Sequence, residues 1–324
     1  MKPVYLYASG ILKQKDYSIC LLTEEEEQCI PIEQVEEIYC FGEVTFNKRL
    51  LKLLNTHKIS VLFFDFYGNY IGRFAPNSPK QGKVLIEQVK AFENPARKQT
   101  IQNGIQNASA SNMRAVLKYY QKKGRNLEKV IGKIDTLLQT EPSYSILLWE
   151  AQVKKAYYQG FDILLKGTEF QFEQRSKNPP RNEINAMMSY GYSVLYATIL
   201  SIINRSRLVP EISFIHSVEK TGASLQYDLA DIYKPVIIDR MIFKLVRKKQ
   251  IRKDHFIFYE DGRCYFNKEG IGIFMNAYYE MLKSTIQYKG KSISYHSLLI
   301  REVNQLANYI LKESNEYKPY IMKW

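Results

Sequence analysis

Ala75-Pro76-Asn77-Ser78-Pro79 is where the pattern of the chain changes: two prolines within five residues, flanking Asn and Ser, interrupt strand and helix alike. Before it, short apolar runs read as strands at Val4 to Ala8, Tyr17 to Leu22, Cys29 to Pro31 and Val35 to Phe41. The acidic run Glu24 to Glu27 fits a solvated hairpin loop. From Thr45 to His57 the period changes: Phe46, Leu50, Leu51, Leu53 and Leu54 recur at helical spacing, with Thr45 as the expected cap. Ile59 to Phe66 and Tyr70 to Phe74 then form a hairpin about Tyr67-Gly68-Asn69. After the linker the period is helical. Residues 80–123 carry it, then Leu127 to Leu138, a helix starting near Glu141-Pro142-Ser143, a long helix capped by Asn182 and running through Arg207, another from Lys234-Pro235, and closing helices at Lys268 to Leu282 and Ser294 to Lys312. A small hairpin is expected about Asp261-Gly262. The expected fold is α+β in two domains: a β-rich domain with one helix over residues 1–78 and a larger all-α domain over residues 79–324.

With 324 residues and 45% hydrophobic side chains the chain can bury a sizeable core. Cys20, Cys29, Cys40 and Cys264 show no C-x-x-C spacing and are expected as reduced, structural thiols. Lys13, Lys15 and Asp16 interrupt the N-terminus before a signal core could develop, so a cytoplasmic protein is expected. Ile184 to Ile203 is apolar, but Asn185, Ser189, Gly191, Ser193, Thr198 and Ser201 interrupt it, which fits a buried core helix and excludes a membrane span. The net charge of +13 is unevenly placed. Residues 1–78 carry 8 basic and 10 acidic side chains; the rest carries 38 and 23. A positive field of that size favours a polyanion such as nucleic acid, since neutralising phosphates releases condensed counterions.

Two places carry candidate chemistry. In L-L-W-E-A-Q-V-K-K, Glu150 sits on a helix among apolar neighbours, so its carboxylate needs a partner, either Lys154 at i+4 or a metal. In His216 to Asp231, H-S-V-E-K-T-G-A-S-L-Q-Y-D-L-A-D, the spacing of Asp228 and Asp231 puts both carboxylates on nearly one helix face, toward His216. Two carboxylates and an imidazole suit Mg²⁺ or Mn²⁺. The loop Gln174 to Arg181 is basic and stiffened by proline. The run Lys244, Arg247, Lys248, Lys249, Arg252 and Lys253 is dense in charge, and solvation alone would account for it.

Together Glu150, the run P-P-R-N-E-I-N-A-M-M-S-Y-G-Y-S-V-L-Y-A from Pro179 and the His216 to Asp231 stretch resemble the CRISPR-associated integrases of spacer acquisition, the first-numbered family of the Cas series, over almost the whole chain. I-S-V-L-F-F-D-F-Y-G-N-Y-I-G-R-F resembles that family's small β-rich domain, which precedes a helical catalytic domain. The resemblance implies a DNA endonuclease and integrase whose metal site consists of Glu150, His216 and Asp231, with Asp228 in support. It also implies a homodimer made through the N-terminal domain and a small companion Cas protein. The chain departs from the family pattern at Ile212 and Ser213, where a Gly is frequent, and at Asp231-Ile232-Tyr233-Lys234-Pro235, which stands for E-x-x-R-P. Lys for Arg keeps the charge but loses bidentate phosphate binding. Attack by a DNA 3′-hydroxyl would join strands and attack by water would cleave them. No nucleophile arrangement requires a covalent intermediate, although Tyr157, Tyr158, Tyr190 and Tyr192 stay open for that role. Arg175, Lys177, Lys220 and Lys234 are candidate phosphate contacts. Asn185 either positions a loop or DNA or makes a structural hydrogen bond in the core. The competing classes are a nonenzymatic nucleic-acid-binding module and a metallohydrolase acting on a small phosphate ester.

Overall fold

Strand formers crowd the chain before the linker, and they pair into two four-stranded sheets. The first contains β1 (Lys2–Leu6), β5 (Val35–Cys40), β7 (Ser60–Phe64) and β8 (Tyr70–Phe74) in that order; the second is ordered β4 (Glu27–Pro31), β3 (Ser18–Leu22), β2 (Gly10–Lys15) and β6 (Val44–Phe46). β1, β5 and β7 run parallel, as do β2 and β6; the other neighbours are antiparallel. Leu12, Ile19 and Leu21 from one sheet and Val35, Ile38 and Val61 from the other share a core with Leu50 and Leu54 of α1 (Lys48–Thr56). The computed structural model describes residues 2–65, 67–68, 70–76, 82–139, 146–218 and 222–323, in two compact units, Met1–Pro79 and Lys80–Trp324. Asn69 of the expected turn, linker residues 77–79 and the expected helix start at Glu141-Pro142-Ser143 lie outside the described residues.

Three sequence expectations change in the first unit. β2 and β6 are additional strands. Lys13 and Lys15 obscure the alternation of β2, and both reach Glu27 of β4, at 2.9 and 2.6 Å. Thr45 lies in β6 opposite Ile11, so Asn47 caps α1 instead, its Oδ1 accepting from the Leu50 amide at 3.1 Å. Cys20 and Cys29 are not reduced thiols: they stand directly opposite one another on β3 and β4 and form a disulfide, while Cys40 and Cys264 are free and buried. Antiparallel pairing brings the two sulfurs together, which their spacing in sequence does not show.

The second unit is largely helical: α2 (Gly82–Glu93), α3 (Pro95–Gln121), α4 (Glu128–Gln139), α5 (Ile146–Tyr158), α6 (Phe161–Leu165), α7 (Glu183–Arg205), α8 (Leu225–Tyr233), α9 (Arg240–Arg247), α10 (Lys268–Lys283) and α11 (Tyr295–Ile310). It is not all-helical, because β9 (Phe256–Phe258) pairs with β10 (Cys264–Phe266) and β11 (Thr285–Tyr288) with β12 (Lys291–Ser294). Asn182 caps α7 through the Asn185 amide at 2.9 Å. Among the described residues, α7 alone is long and apolar enough to cross a membrane, but 83% of its apolar window is buried inside the protein. A helix buried all round reads as apolar on every face, which explains its composition.

α8 and α9 are joined by a π-helical segment, Lys234–Asp239, against which α7 packs closely. Gly191 makes that approach possible: a Cβ there would meet Ile238 Cγ2 at 2.6 Å and Phe274 Cζ at 2.9 Å. The segment ends at Asp239, which is 1% exposed and accepts from Tyr157 Oη of α5 at 3.0 Å and Tyr192 Oη of α7 at 2.8 Å. One carboxyl thus ties three elements together. Burial raises it to about 7, although the two tyrosine hydroxyls, Arg175 and Lys234 pull the other way.

Gly191→Ala is expected to lower stability by about 1–3 kcal/mol through overpacking, read as a shift in the urea midpoint at unchanged slope. Asp239 binds its proton more tightly in the folded chain than in the unfolded one. Its contribution is therefore fully present below about pH 4 and is lost as pH rises through about 7. Unfolding measured across that window should show wild-type stability falling relative to Asp239→Asn; parallel curves would contradict the assignment.

Candidate active site

The loop before α8 is folded around one carboxylate. Asp228 is fully buried, and its Oδ2 accepts from the Phe214 and Ile215 amides at 2.6 and 3.1 Å, while its Oδ1 accepts from the His216 amide at 3.0 Å. His216 Nδ1 lies 2.7 Å from the same Oδ1. Ser213 Oγ donates to the His216 carbonyl at 2.7 Å, and Ser224 Oγ donates to Ser213 Oγ at 2.8 Å. Ser213, one of the departures from the family pattern, therefore helps close the loop. Asp228 has its lone pairs committed to the loop, and it fixes the imidazole through Nδ1, leaving Nε2 as the other ring nitrogen. Asp228 and Asp231 make different hydrogen bonds, Asp228 to the loop amides and the imidazole and Asp231 to two lysines, with His216 close enough to Asp231 to act on its charge.

Asp231, 1% exposed, lies among lysines. Lys234 of the π segment bonds its Oδ1, and Lys154 Nζ is 3.4 Å from its Oδ2 while also bonding Glu150 Oε1. Glu150 and Asp231, 81 positions apart, thus share one ammonium. Gln106 Nε2 donates to Glu150 Oε2 at 2.6 Å. Burial alone would raise the Asp231 carboxyl, yet Lys154, Lys234 and the nearby His216 overcome it and hold the group well below the usual carboxylate range. Burial likewise opposes charge on the two lysines, and the Asp231 carboxylate reverses this, raising both. Lys234 also lies against the faces of Tyr192 and Tyr196, at 5.1 and 4.8 Å from their centroids.

The backbone that carries Asp231 is pinned from α3. Pro235 has no amide hydrogen to give the Asp231 carbonyl four residues back. That carbonyl accepts from Ser109 Oγ at 2.8 Å, and the Ile232 carbonyl accepts from Asn112 Nδ2 at 2.8 Å. Asn112 also donates to the Tyr320 carbonyl and accepts from the Met322 amide. Gln106, Ser109 and Asn112 form a polar stripe, spaced by three, on one face of α3. Sequence reasoning missed these residues; the signal was there as buried-face spacing of polar side chains within an otherwise apolar periodicity.

The remaining candidates divide. Arg175 turns inward, its Nη1 bonding Asn185 Oδ1 at 2.9 Å and its Nη2 Ser189 Oγ at 3.0 Å. Asn185 is fully buried; it accepts from the Ser176 amide and donates to the Gln174 carbonyl, so it orders the basic loop from within. Lys177 is exposed; partial desolvation and then the Lys154 and Lys234 charges lower it, placing it in the same basic neighbourhood. Lys220 lies outside the described residues. Of the open tyrosines, Tyr157 and Tyr192 are buried on Asp239 and held well above the ordinary phenol range by burial. Among the described residues, Cys20, Glu27 and Cys29 have donor atoms close enough together to suggest a metal, but both sulfurs are in the disulfide.

Comparison with known proteins agrees with this architecture. The family model described as CRISPR associated protein Cas1 matches residues 4–280. The CRISPR-associated endonuclease Cas1 2 of Thermodesulfovibrio yellowstonii is 36% identical over 330 aligned positions, covering 100% of this chain and 99% of that protein. A CAS1 protein from Thermotoga maritima superimposes with a TM-score of 0.85 at 30% identity, covering 100% of this chain and 99% of that one. A casposase bound to integration product shares the fold at TM-score 0.84 and 19% identity, covering 100% of this chain and 95% of that one. A chain of a Cas6-RT-Cas1--Cas2 complex shares the fold at TM-score 0.84 and 19% identity, covering 100% of this chain and 36% of that one. A β-rich unit followed by a helical unit, matched over its whole length, places the chain in the Cas1 family of CRISPR-associated endonucleases.

Proposed function

We propose that this chain is a metal-dependent DNA endonuclease and integrase that inserts DNA fragments into a CRISPR array. The observation that supports this reading most is the ammonium shared by Glu150 and Asp231: two carboxylates from distant parts of the chain are placed to hold one cation. Displacement of Lys154 would leave Glu150, Asp231 and His216, the last held through Nδ1 by Asp228, as a set of two carboxylates and one imidazole suited to Mg²⁺ or Mn²⁺. Such an ion, when bound, polarises a phosphoryl oxygen and stabilises charge on the leaving oxygen. Lys154, Lys177 and Lys234 supply positive charge around the scissile phosphate, and Arg175 and Asn185 hold the loop that carries Lys177. Lys220 would add charge from the segment between His216 and Asp228. A DNA 3′-hydroxyl entering here gives strand joining, and water gives cleavage.

The competing reading, a nonenzymatic DNA-binding module, leaves Glu150 and a buried Asp231 without a purpose in a surface that binds phosphate. The near-neutral first 78 residues suit protein contact, so the homodimer and the small companion Cas protein are assigned to the β-rich unit, with DNA on the basic helical unit. Sedimentation should show a dimer at micromolar concentration; a monomer would remove that assignment.

Glu150→Ala should reduce divalent-metal-dependent joining and cleavage by roughly 10²–10³-fold or more with DNA binding retained. Retained activity would overturn the site. Asp231→Asn should cost activity per folded molecule at least as much. Asp228→Asn, which acts through His216 and the loop, should cost only about 10–100-fold together with about 1–3 kcal/mol of stability from amides left facing an NH₂ group. The reverse order of the two losses, after correction for folded fraction, would exchange their roles.

A further inference from the structure

After α11 the chain runs along α3 as a strap with neither helix nor strand, residues 315–323. Tyr317, Tyr320 and Met322 are buried, while Lys318, Ile321 and Lys323 face solvent. Gly104 of α3 leaves room for it, since a Cβ there would meet Tyr317 Cδ1 at 3.3 Å and Pro319 Cδ at 3.5 Å. A tail held only by its apolar side chains would leave its backbone to water. Here the backbone is bonded as well: the Lys318 carbonyl accepts from Gln305 Nε2, the Tyr320 amide donates to Glu302 Oε2 at 3.0 Å, the Tyr320 carbonyl accepts from Asn112 Nδ2 at 3.0 Å and the Met322 amide donates to Asn112 Oδ1 at 2.7 Å.

Asn112 and Glu302 each hold a further partner, and these two partners are adjacent residues. Asn112 Nδ2 also donates to the Ile232 carbonyl at 2.8 Å, and Glu302 Oε2 also accepts from Tyr233 Oη at 3.1 Å, with Tyr317 Oη on Oε1 at 2.9 Å. The Tyr233 and Tyr320 rings lie within 5° of parallel, 5.8 Å between centroids. Ile232 and Tyr233 are the two residues between Asp231 and Lys234. The last torsion of an Asn side chain is broad, so rotamer preference does not aim the Asn112 amide. Its bonds to Tyr320 and Met322 do. Glu302 is buried, which raises its carboxyl, while the Tyr320 amide and the Tyr317 and Tyr233 hydroxyls oppose that rise. Loss of the strap would take the first two of these donors away from a buried acid.

We propose that the strap is a positioning element for the site formed by Glu150, Asp231 and His216, acting through Ile232 and Tyr233 on the backbone that carries Asp231 and Lys234. It rests on the metal-dependent reading of that site. Ser109 fixes the Asp231 carbonyl, and the side chains bonded to the strap fix the next two residues, so three successive residues are held from outside their own helix. Tyr317, Tyr320 and Met322 affect the reaction through the residues they hold. A shift of about 1 Å in a group that must meet a reacting centre costs on the order of 10²-fold in rate, which sets the size of effect a loosened strap can have.

The test uses the full chain carrying Tyr320→Ala/Met322→Ala, read first by amide hydrogen exchange without metal or DNA and then by the strand-joining rate at saturating Mn²⁺ and DNA. Exchange over residues 225–239 should rise about tenfold or more, with α7, α10 and the first unit unchanged. The joining rate per folded molecule should fall about 10–100-fold, with duplex affinity within about twofold of wild type. Tyr320→Phe/Met322→Leu, which keeps the buried anchors, should restore both readings. If the alanine pair does not fold, Tyr320→Ala alone is read in the same way. Unchanged exchange over residues 225–239 would overturn the proposal. So would an equal rise across α7 and α10, which would make the strap a support of the whole unit, or an unchanged joining rate despite faster exchange. The exchange reading needs no activity, so failure of this proposal and failure of the active-site reading are separable.

Discussion

A carboxylate that is almost wholly buried keeps its charge only where cations are built around it, and Asp231 sets that requirement for the helical unit. Its partners come from two directions, Lys234 from its own helical run and Lys154 from α5. Because Lys154 also bonds Glu150, the arrangement couples α5 to α8 through charge as well as packing. Removing one member of such a group leaves an uncompensated buried charge, so the cluster is held together by the cost of breaking it. Neutral groups complete it: Gln106 satisfies the second oxygen of Glu150, and Ser109 and Asn112 hold the backbone that carries Asp231.

Pro235 is what makes the α3 stripe necessary. A proline inside a helical run deprives the carbonyl four residues earlier of its usual donor, and here that carbonyl belongs to Asp231 itself. The helical run accommodates the proline as a π segment and the hydroxyl of Ser109 takes up the carbonyl, so the defect becomes a fixed connection between α3 and the acidic position. Asp239 repeats the device at the other end of the segment with two tyrosine hydroxyls. A segment bonded at both ends to neighbouring helices is a rigid base for Lys234 and Asp231.

His216 is oriented by a different means. Three successive backbone amides point at Asp228, and its Oδ1 also meets the imidazole Nδ1. The two acids of D-L-A-D, alike in sequence, are consequently unlike in their contacts: one is taken up by backbone donors and the imidazole, the other by two lysine ammonium groups. Gly191 and the buried face of α7 complete the support by letting the π segment approach at a distance no side chain would permit.

Sequence alone determined what depends on local periodicity and on residues close together in the chain: the change from strand to helix about the Pro-rich linker, the Asn182 cap, the burial of α7, the acidic and imidazole residues of the His216 to Asp231 stretch, and the family resemblance they carry. Spacing did not separate Asp228 from Asp231, since both stand on the same helix; the resemblance did, and the contacts that make them differ come from the fold. Lys154 was visible as an i+4 partner of Glu150, whereas its second bond, to Asp231, depends on the packing of α5 and α8. The Cys20–Cys29 disulfide escaped because strand register, not spacing, decides which sulfurs meet. Lys244, Arg247 and Lys248 of the basic run likewise border a cleft only because the turn after α3 brings Lys123 and Arg125 beside them. In each case the deciding contact joins residues far apart in sequence, and its energy comes from burial and charge that exist only after the elements have packed.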